Sequence, residues 1–315
     1  MRFGFATALS LVSLLGSIVG AYPTVGDVTG NIHVHDPTMC RDSSGKWFLF
    51  LFSVGIDIRT STDRINWTLI GTVWANNQAT WTNEYTGTSN GNLWAPDCTY
   101  RNGTFYLYYS ASSMRSQNSA IFLAKSTTGM PGSWTNRGLI TSSSSSDNYN
   151  AIDPNLIIDG NNWWLTLGSF WSGIKLVQLN PSTGKLLNSD IHSLAQRSID
   201  DGGAIEAPMI VKNGGFYYLF TSWDTCCNGT LSTYNVRVGR STSITGPYVD
   251  QDGVALMSGG GTLILGAHDS VIGPGGQHVW KDRDAWVIDY HYYTSTGSLL
   301  GINLVDFSSG WPVVY

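Results

Sequence analysis

A chain of 315 residues suffices for one large domain or two ordinary ones. Only 12% of it is charged, against 36 glycines and 13 tryptophans, and its formal net charge is −5. That balance excludes a coiled coil or a disordered chain, and it lacks the basic face that nucleic acid requires. Aromatic faces and neutral hydrogen-bonding groups suit an uncharged polysaccharide better.

In chain order, Arg2, a mostly apolar run over residues 5–19 and the small residues Gly20 and Ala21 read as a secretory signal peptide over residues 1–21. The run is short for a membrane span and has no basic stop-transfer flank. Residues 22–315 then remain as the mature, extracellular protein, with monomer as the default state and no membrane partner. His35-Asp36-Pro37 opens a pattern of acid beside proline ahead of an aromatic-rich run. It recurs as Ala95-Pro96-Asp97, Ile152-Asp153-Pro154-Asn155 and Ile205-Glu206-Ala207-Pro208, with Gly273-Pro274-Gly275-Gly276 as a fifth copy that lacks the acid. Spacing of this size points to repeat units within one domain.

Each copy is followed by strand-like runs rich in aromatic and β-branched residues. They are 47–54, 56–61 and 67–73 in the first unit, and 104–110, 120–126 and 134–140 in the second. The third offers 163–170 and 174–179 with a weaker last strand, the fourth 215–222, 234–241 and the turn-bounded 247–249, and the fifth 284–293 and 299–306. No amphipathic helix of ordinary length stands out. Four strands per unit and five units predict an all-β, five-bladed β-propeller, with the acid–proline strand of each antiparallel blade lining a central channel. Proline fits there because the innermost strand is a sheet edge.

If the first two inner strands are neighbours, Cys40 and Cys98 are the natural disulfide pair. Cys226-Cys227 must form a vicinal bridge or stay as thiols, and no spacing suits zinc. Asn66, Asn102 and Asn228 each head a glycosylation sequon and are expected on surface loops.

Inner strands of a propeller converge, so Asp36, Asp153 and Glu206 should face one another across one funnel. One ionised and one protonated carboxyl flanking a glycosidic bond is the apparatus that hydrolyses it. A third acid nearby raises the pKa of the proton donor. Any one Asp beside Pro is ordinarily a turn residue; the shared register of three, in a chain so poor in charge, favours catalysis. Asp97 has the order reversed to Pro-Asp and is expected to be structural. Most of the tryptophans are expected to pack the blades.

His35-Asp36-Pro37, Trp94-Ala95-Pro96-Asp97, Ala151-Ile152-Asp153-Pro154-Asn155 and Glu206-Ala207-Pro208 resemble glycoside hydrolase family 43. Within it, Asn92-Leu93-Trp94, Gly168-Ser169-Phe170 and Asp224-Thr225-Cys226-Cys227 resemble the branch that acts within arabinan. The resemblance implies inverting hydrolysis of internal α-1,5-L-arabinofuranosidic bonds, with Asp36 as general base, Glu206 as general acid and Asp153 as pKa modulator. It also implies sugar contacts from Trp94, Asn150, Ser169, Phe170 and Trp171, and one calcium ion held by His278 and waters, with no organic cofactor. His35 is expected to shape its strand. Met114 stands where some relatives carry an aromatic residue, which affects one wall of the cleft. Two other readings are an exo-acting arabinofuranosidase or xylosidase of the same family, and a sugar-binding propeller without activity.

Overall fold

The computed structural model describes residues 22–198, 200 and 202–315. The expected signal peptide, residues 1–21, lies outside them. Short strands joined by tight turns form five antiparallel sheets arranged as the blades of a propeller. From the axis outward, blade 1 runs Thr38–Arg41, Trp47–Leu51, Asp57–Ser61 and Asn66–Thr72. Blade 2 runs Asn92–Arg101, Thr104–Ala111, Ser119–Ser126 and Thr135–Ser143. Blade 3 is Asn155–Asp159, Asn162–Leu167, Ile174–Asn180 and Lys185–Ala195. Blade 4 is Ile205–Asn213, Phe216–Trp223, Asn235–Ser241 and Thr262–Leu265, and blade 5 is Ile272–Lys281, Trp286–Thr294, Gly297–Asp306 and Val313–Val314.

Two outer strands differ from expectation. The last strand of blade 4 is Thr262–Leu265, while Val249 makes only isolated bridges to Arg240 and Ala255. Proline at 247 and a turn leave that segment too short to form a ladder. Blade 3 ends in an eleven-residue strand, not a weak one. Its exposed stretch mixes Leu187 and Ile191 with Asn188, Ser189 and Asp190, which hid its period.

Five apolar clusters fill the five seams between blades, so the hydrophobic stabilisation is distributed around the ring. Trp67 is fully buried beside Leu49 and Leu300 at the seam between blades 1 and 5. The same seam is stitched by the N-terminal segment: Thr29–Gly30 pairs parallel with Asn66–Thr72, while Gly26 and Ile32 hydrogen-bond the blade 5 residues Ile302 and Leu300.

The inner strands carry the detail on which the site depends. Asp36, Ala95, Asp153, Ala207 and Gly276 all have left-handed backbones, with φ of 46, 40, 57, 49 and 55°. In blades 2, 4 and 5 this residue belongs to a bulge: the pairing slips between Trp94 and Asp97, Glu206 and Met209, and Gly275 and His278. A bulge re-aims the side chains beside it. The repeat is therefore in a different register from the one its acids suggest. Asp36 and Asp153 are equivalent, but Glu206 sits one residue earlier, in the place of Trp94. Asp97 sits two residues later, and the fifth equivalent is Gly276 and not the Gly273-Pro274 pair.

That later position forms a ring. Thr38, Asp97, Asn155, Met209 and His278 pair in turn with Phe50, Tyr108, Thr166, Phe220 and Asp289 on their second strands. Each accepts a backbone N–H from the next blade: Cys98 to Thr38, Leu156 to Asp97, Ile210 to Asn155, Val279 to Met209 and, at 3.4 Å, Met39 to His278. Cys40 and Cys98 form a disulfide across blades 1 and 2.

Candidate active site

Above this ring the inner strands open into a funnel. Its floor is a cavity of about 40 Å³ lined by Asp36, Asp153, Asp97, Gln277 and His278 together with the prolines of four blades. The left-handed backbone turns Asp36 and Asp153 inward, and aspartate is among the residues that tolerate it.

The three acids have unlike surroundings. Glu206 accepts hydrogen bonds from Ser169 Oγ and Tyr234 Oη, each 2.7 Å. Asp153 Oδ2 accepts the N–H of Ala207 at 3.0 Å, which ties it to the residue after Glu206. Among the described residues no donor hydrogen-bonds the Asp36 carboxylate; His35 Nε2 and His291 Nδ1 stand 3.7 and 3.4 Å away. Burial pushes the Asp153 carboxyl well up, and repulsion from Glu206 and then Asp36 adds to it. Glu206 is raised as well, by burial foremost; Ser169 and Tyr234 pull it down, and Asp36 pushes it up again. An acid that stays protonated beside an unpartnered carboxylate is a proton donor and acceptor pair.

The expected sugar-contact residues surround this centre unevenly. Trp94 is half-buried against Phe52 in the register of Glu206. Asn150 is buried with its Oδ1 unpaired. Phe170 and Trp171 both adopt left-handed backbones, and the Phe170 N–H bonds Ile205 O beside the acid. Trp171 is 42% exposed, so an aromatic face is open to a ligand. Met114 is 68% exposed and forms no packed wall. His278 lies lower, its Nδ1 3.3 Å from Asp289 Oδ1 and its Nε2 3.9 Å from Asp97 Oδ1. Asp97 is buried, its oxygens taken by Asn155 Nδ2 and Leu156 N–H. The exposed Cys227 is bonded to Cys226 at the rim, its Sγ 3.7 Å from His35 Nε2.

Matched against known families, residues 27–312 fit the model of the glycosyl hydrolases family 43. The chain belongs to that family. This family 43 chain is 43% identical over 287 residues to the extracellular endo-α-(1→5)-L-arabinanase 1 of Bacillus subtilis, covering 89% of the chain and 87% of that protein. Among solved structures it resembles a family 43 endo-arabinanase from Bacillus licheniformis at 41% identity, with a TM-score of 0.84 over 91% of this chain and 99% of that one. An exo-1,5-α-L-arabinanase from a bovine ruminal metagenomic library is equally similar in shape, at 38% identity and a TM-score of 0.84 over 90% and 97%. Structures of this shape thus include proteins named for exo and for endo attack.

Tyr234, His291, Tyr293 and Ser110 were not singled out from the sequence. Ser110 Oγ accepts the Asp153 N–H, and the other three surround Asp36 and Glu206. The available signal was Asp289, His291 and Tyr293 at every second position of a strand otherwise rich in apolar and aromatic residues. Such alternation places polar groups on one face.

Proposed function

We propose that the protein is a secreted endo-1,5-α-L-arabinanase that inverts the configuration of the sugar it cleaves. The observation that carries this reading is the inequality of the acids: a carboxylate without donors, a raised carboxyl held by two hydroxyls, and a third acid that feels the charge of both. In the reaction a water attacks the anomeric carbon while Asp36 takes its proton. The glycosidic bond breaks, its electron pair goes to the leaving oxygen, and Glu206 supplies the proton that oxygen needs. Burial and the Asp36 charge keep Glu206 protonated, while Asp153, the pKa modulator of this reading, holds the Ala207 N–H and so keeps Glu206 aimed. Ser169 can turn its hydroxyl from donor to acceptor as Glu206 gains and loses its proton. Trp171 and Trp94 offer stacking faces for arabinofuranose rings, and Asn150 an acceptor for a sugar hydroxyl.

The channel beneath fits a cation. Two buried acids, Asp97 and Asp289, face the single imidazole of His278, and Asp289 Oδ2 has no hydrogen-bond partner. A calcium ion held by His278 Nε2 and waters requires the imidazole proton on Nδ1, directed to Asp289 in place of the 3.4 Å contact from the Met39 N–H. It would supply fixed positive charge below the acids. Export is supported by the N-terminal apolar run, the two disulfides and the extracellular relative. Asn66, Asn102 and Asn228 are all exposed, as glycan attachment requires.

The test is product analysis on linear arabinan. A ladder of oligosaccharides, with the first-formed anomer inverted by NMR, is the expected result; arabinose alone overturns endo action. Asp36→Ala and Glu206→Ala should each lower kcat on the order of 10²–10⁴-fold or more. Turnover retained in either removes that residue from its role.

A further inference from the structure

At three seams of the ring, a side chain on the second strand of one blade accepts the N–H of the left-handed residue in the next. Ser110 Oγ accepts from Asp153 at 3.0 Å, Ser222 Oγ from Gly276 at 3.0 Å, and His291 Nδ1 from Asp36 at 3.1 Å. Their registers match, since Ser110, Ser222 and His291 pair with Trp94, Glu206 and Gly275, each one residue ahead of the left-handed position. Two seams use a hydroxyl. The seam that carries Asp36 uses an imidazole.

We propose that His291 is a positioning residue for the general base. As the Nε2–H tautomer it fixes the Asp36 backbone while keeping hydrogen-bond donors off the Asp36 carboxylate. The inference rests on the reading of Asp36 as the base. Because the Asp36 N–H points at Nδ1, that nitrogen must present its lone pair, and the proton resides on Nε2. From there it is donated to Tyr293 Oη at 3.0 Å, an oxygen that also accepts the Cys227 N–H at 2.8 Å. The ring is fully buried, with His35 stacked on it at 4.1 Å and Tyr234 near-parallel at 5.9 Å. Burial first, and His35 second, hold this imidazole well below its ordinary pKa, so it stays neutral.

A serine would do the backbone work but carries a rotatable proton; Ser222 sends its own to Gln277 Oε1. Beside Asp36 such a proton could turn onto the carboxylate and lower its basicity. The bare Nδ1 lone pair, 3.4 Å from Asp36 Oδ1, cannot. Glycine at 276 is what makes room, since a Cβ there would lie 2.4 Å from Asp36 Oδ1 and 2.8 Å from His291 Nδ1. His35, Asp36 and His291 are close enough to suggest a metal site. Both ring nitrogens of His291 are already committed, so it has no lone pair for an ion.

The experiment compares His291→Leu with His291→Asn, whose Oδ1 can take the place of Nδ1 as acceptor, on linear arabinan. Leu should lower kcat on the order of 10²-fold with KM within about twofold, and Asn should retain roughly ten times the kcat of Leu. Should the Leu variant fail to fold, Tyr293→Phe carries the test. It removes the acceptor that fixes the tautomer and should lower kcat about 3–10-fold at unchanged KM. Equal kcat in Leu and Asn variants of equal Tm overturns the proposal, as does a Leu or Phe variant with wild-type kcat. Asp36→Ala with added azide separates the two levels. Azide-rescued turnover confirms the base independently of His291, whereas undiminished turnover without azide removes the base and this proposal with it.

Discussion

Asp153 sits where a charge is least welcome. It is near two other carboxyls, and only one hydrogen bond, from the Ala207 N–H, favours its ionised form. Its folded pKa lies above that of the unfolded chain, so the native state binds the extra proton. Stability from this group is then intact below the unfolded carboxylate pKa of about 4 and is lost as pH rises toward the folded value. Asp153→Asn keeps an acceptor for Ala207 and removes the titration. Calorimetry should show the variant melting above wild type at neutral pH, with the gap closing below about pH 4. Its kcat should fall on the order of 10²-fold, because the amide sets an N–H donor among the carboxyls and so favours the ionised form of Glu206 over the proton donor. A variant that melts lower at neutral pH would contradict the assignment of repulsion. For Glu206 the sign is the same: activity that needs its proton declines as pH rises through its raised pKa.

Among the elements, the two disulfides illustrate how loop length separates stability from function. Cys40–Cys98 joins residues 58 apart, between the inner strands of blades 1 and 2. Closing a loop of that length stabilises by about 4 kcal/mol in the chain-entropy account. Cys226–Cys227 joins neighbours and so restrains almost nothing in the unfolded chain. What it shapes is the rim turn 224–233, where Asp224 and Cys227 are left-handed and the Cys227 N–H reaches Tyr293. The Cys40→Ser/Cys98→Ser variant should therefore lose several degrees of Tm. Cys226→Ser/Cys227→Ser should melt within a degree or two of wild type while kcat falls several-fold. Equal losses of Tm in both would show that the rim pair is structural. The inner-strand bulges make the same point. One extra residue per strand is a small perturbation of the sheet, yet it decides which side chains reach the funnel.

At the scale of the whole molecule, the blades are joined by a pentagon of hydrogen bonds below the acids. Its weakest link is Met39 N–H to His278 Nδ1, where Asp289 competes for the same nitrogen. That link lies at the seam between the first and last blades, which the N-terminal segment also closes. A cation at His278 would put the proton on Nδ1, giving up the long Met39 contact for the bond to Asp289, and its charge would offset Asp97 and Asp289, so it would hold the ring closed through charge and not through that hydrogen bond. Chelation should lower Tm by several degrees, and added calcium should restore it. A chelated protein with unchanged Tm and no metal by elemental analysis would remove the site. No helix among the described residues is long and apolar enough to cross a membrane.

The sequence by itself determined the five repeats, the all-β character and three acids worth pairing. Aromatic runs, turn residues and acid–proline markers are local signals, and each repeat writes them again. It also marked Cys40 and Cys98 as partners, because both follow an acid–proline segment by a few residues. Register was decided only by the tertiary structure. A left-handed alanine at 95 or 207 has no sequence signature, so the bulges that set Glu206 one residue above Asp36 and Asp153, and Asp97 two below, could not be read. The neighbours that differentiate the acids come from other strands and seams: Tyr234 from the residue just before the third strand of blade 4, Ser169 from the loop after the second strand of blade 3, and His291 from a blade 255 residues away. Their roles exist only once the ring has closed, because a hydrogen bond across a seam depends on packing that no local stretch encodes.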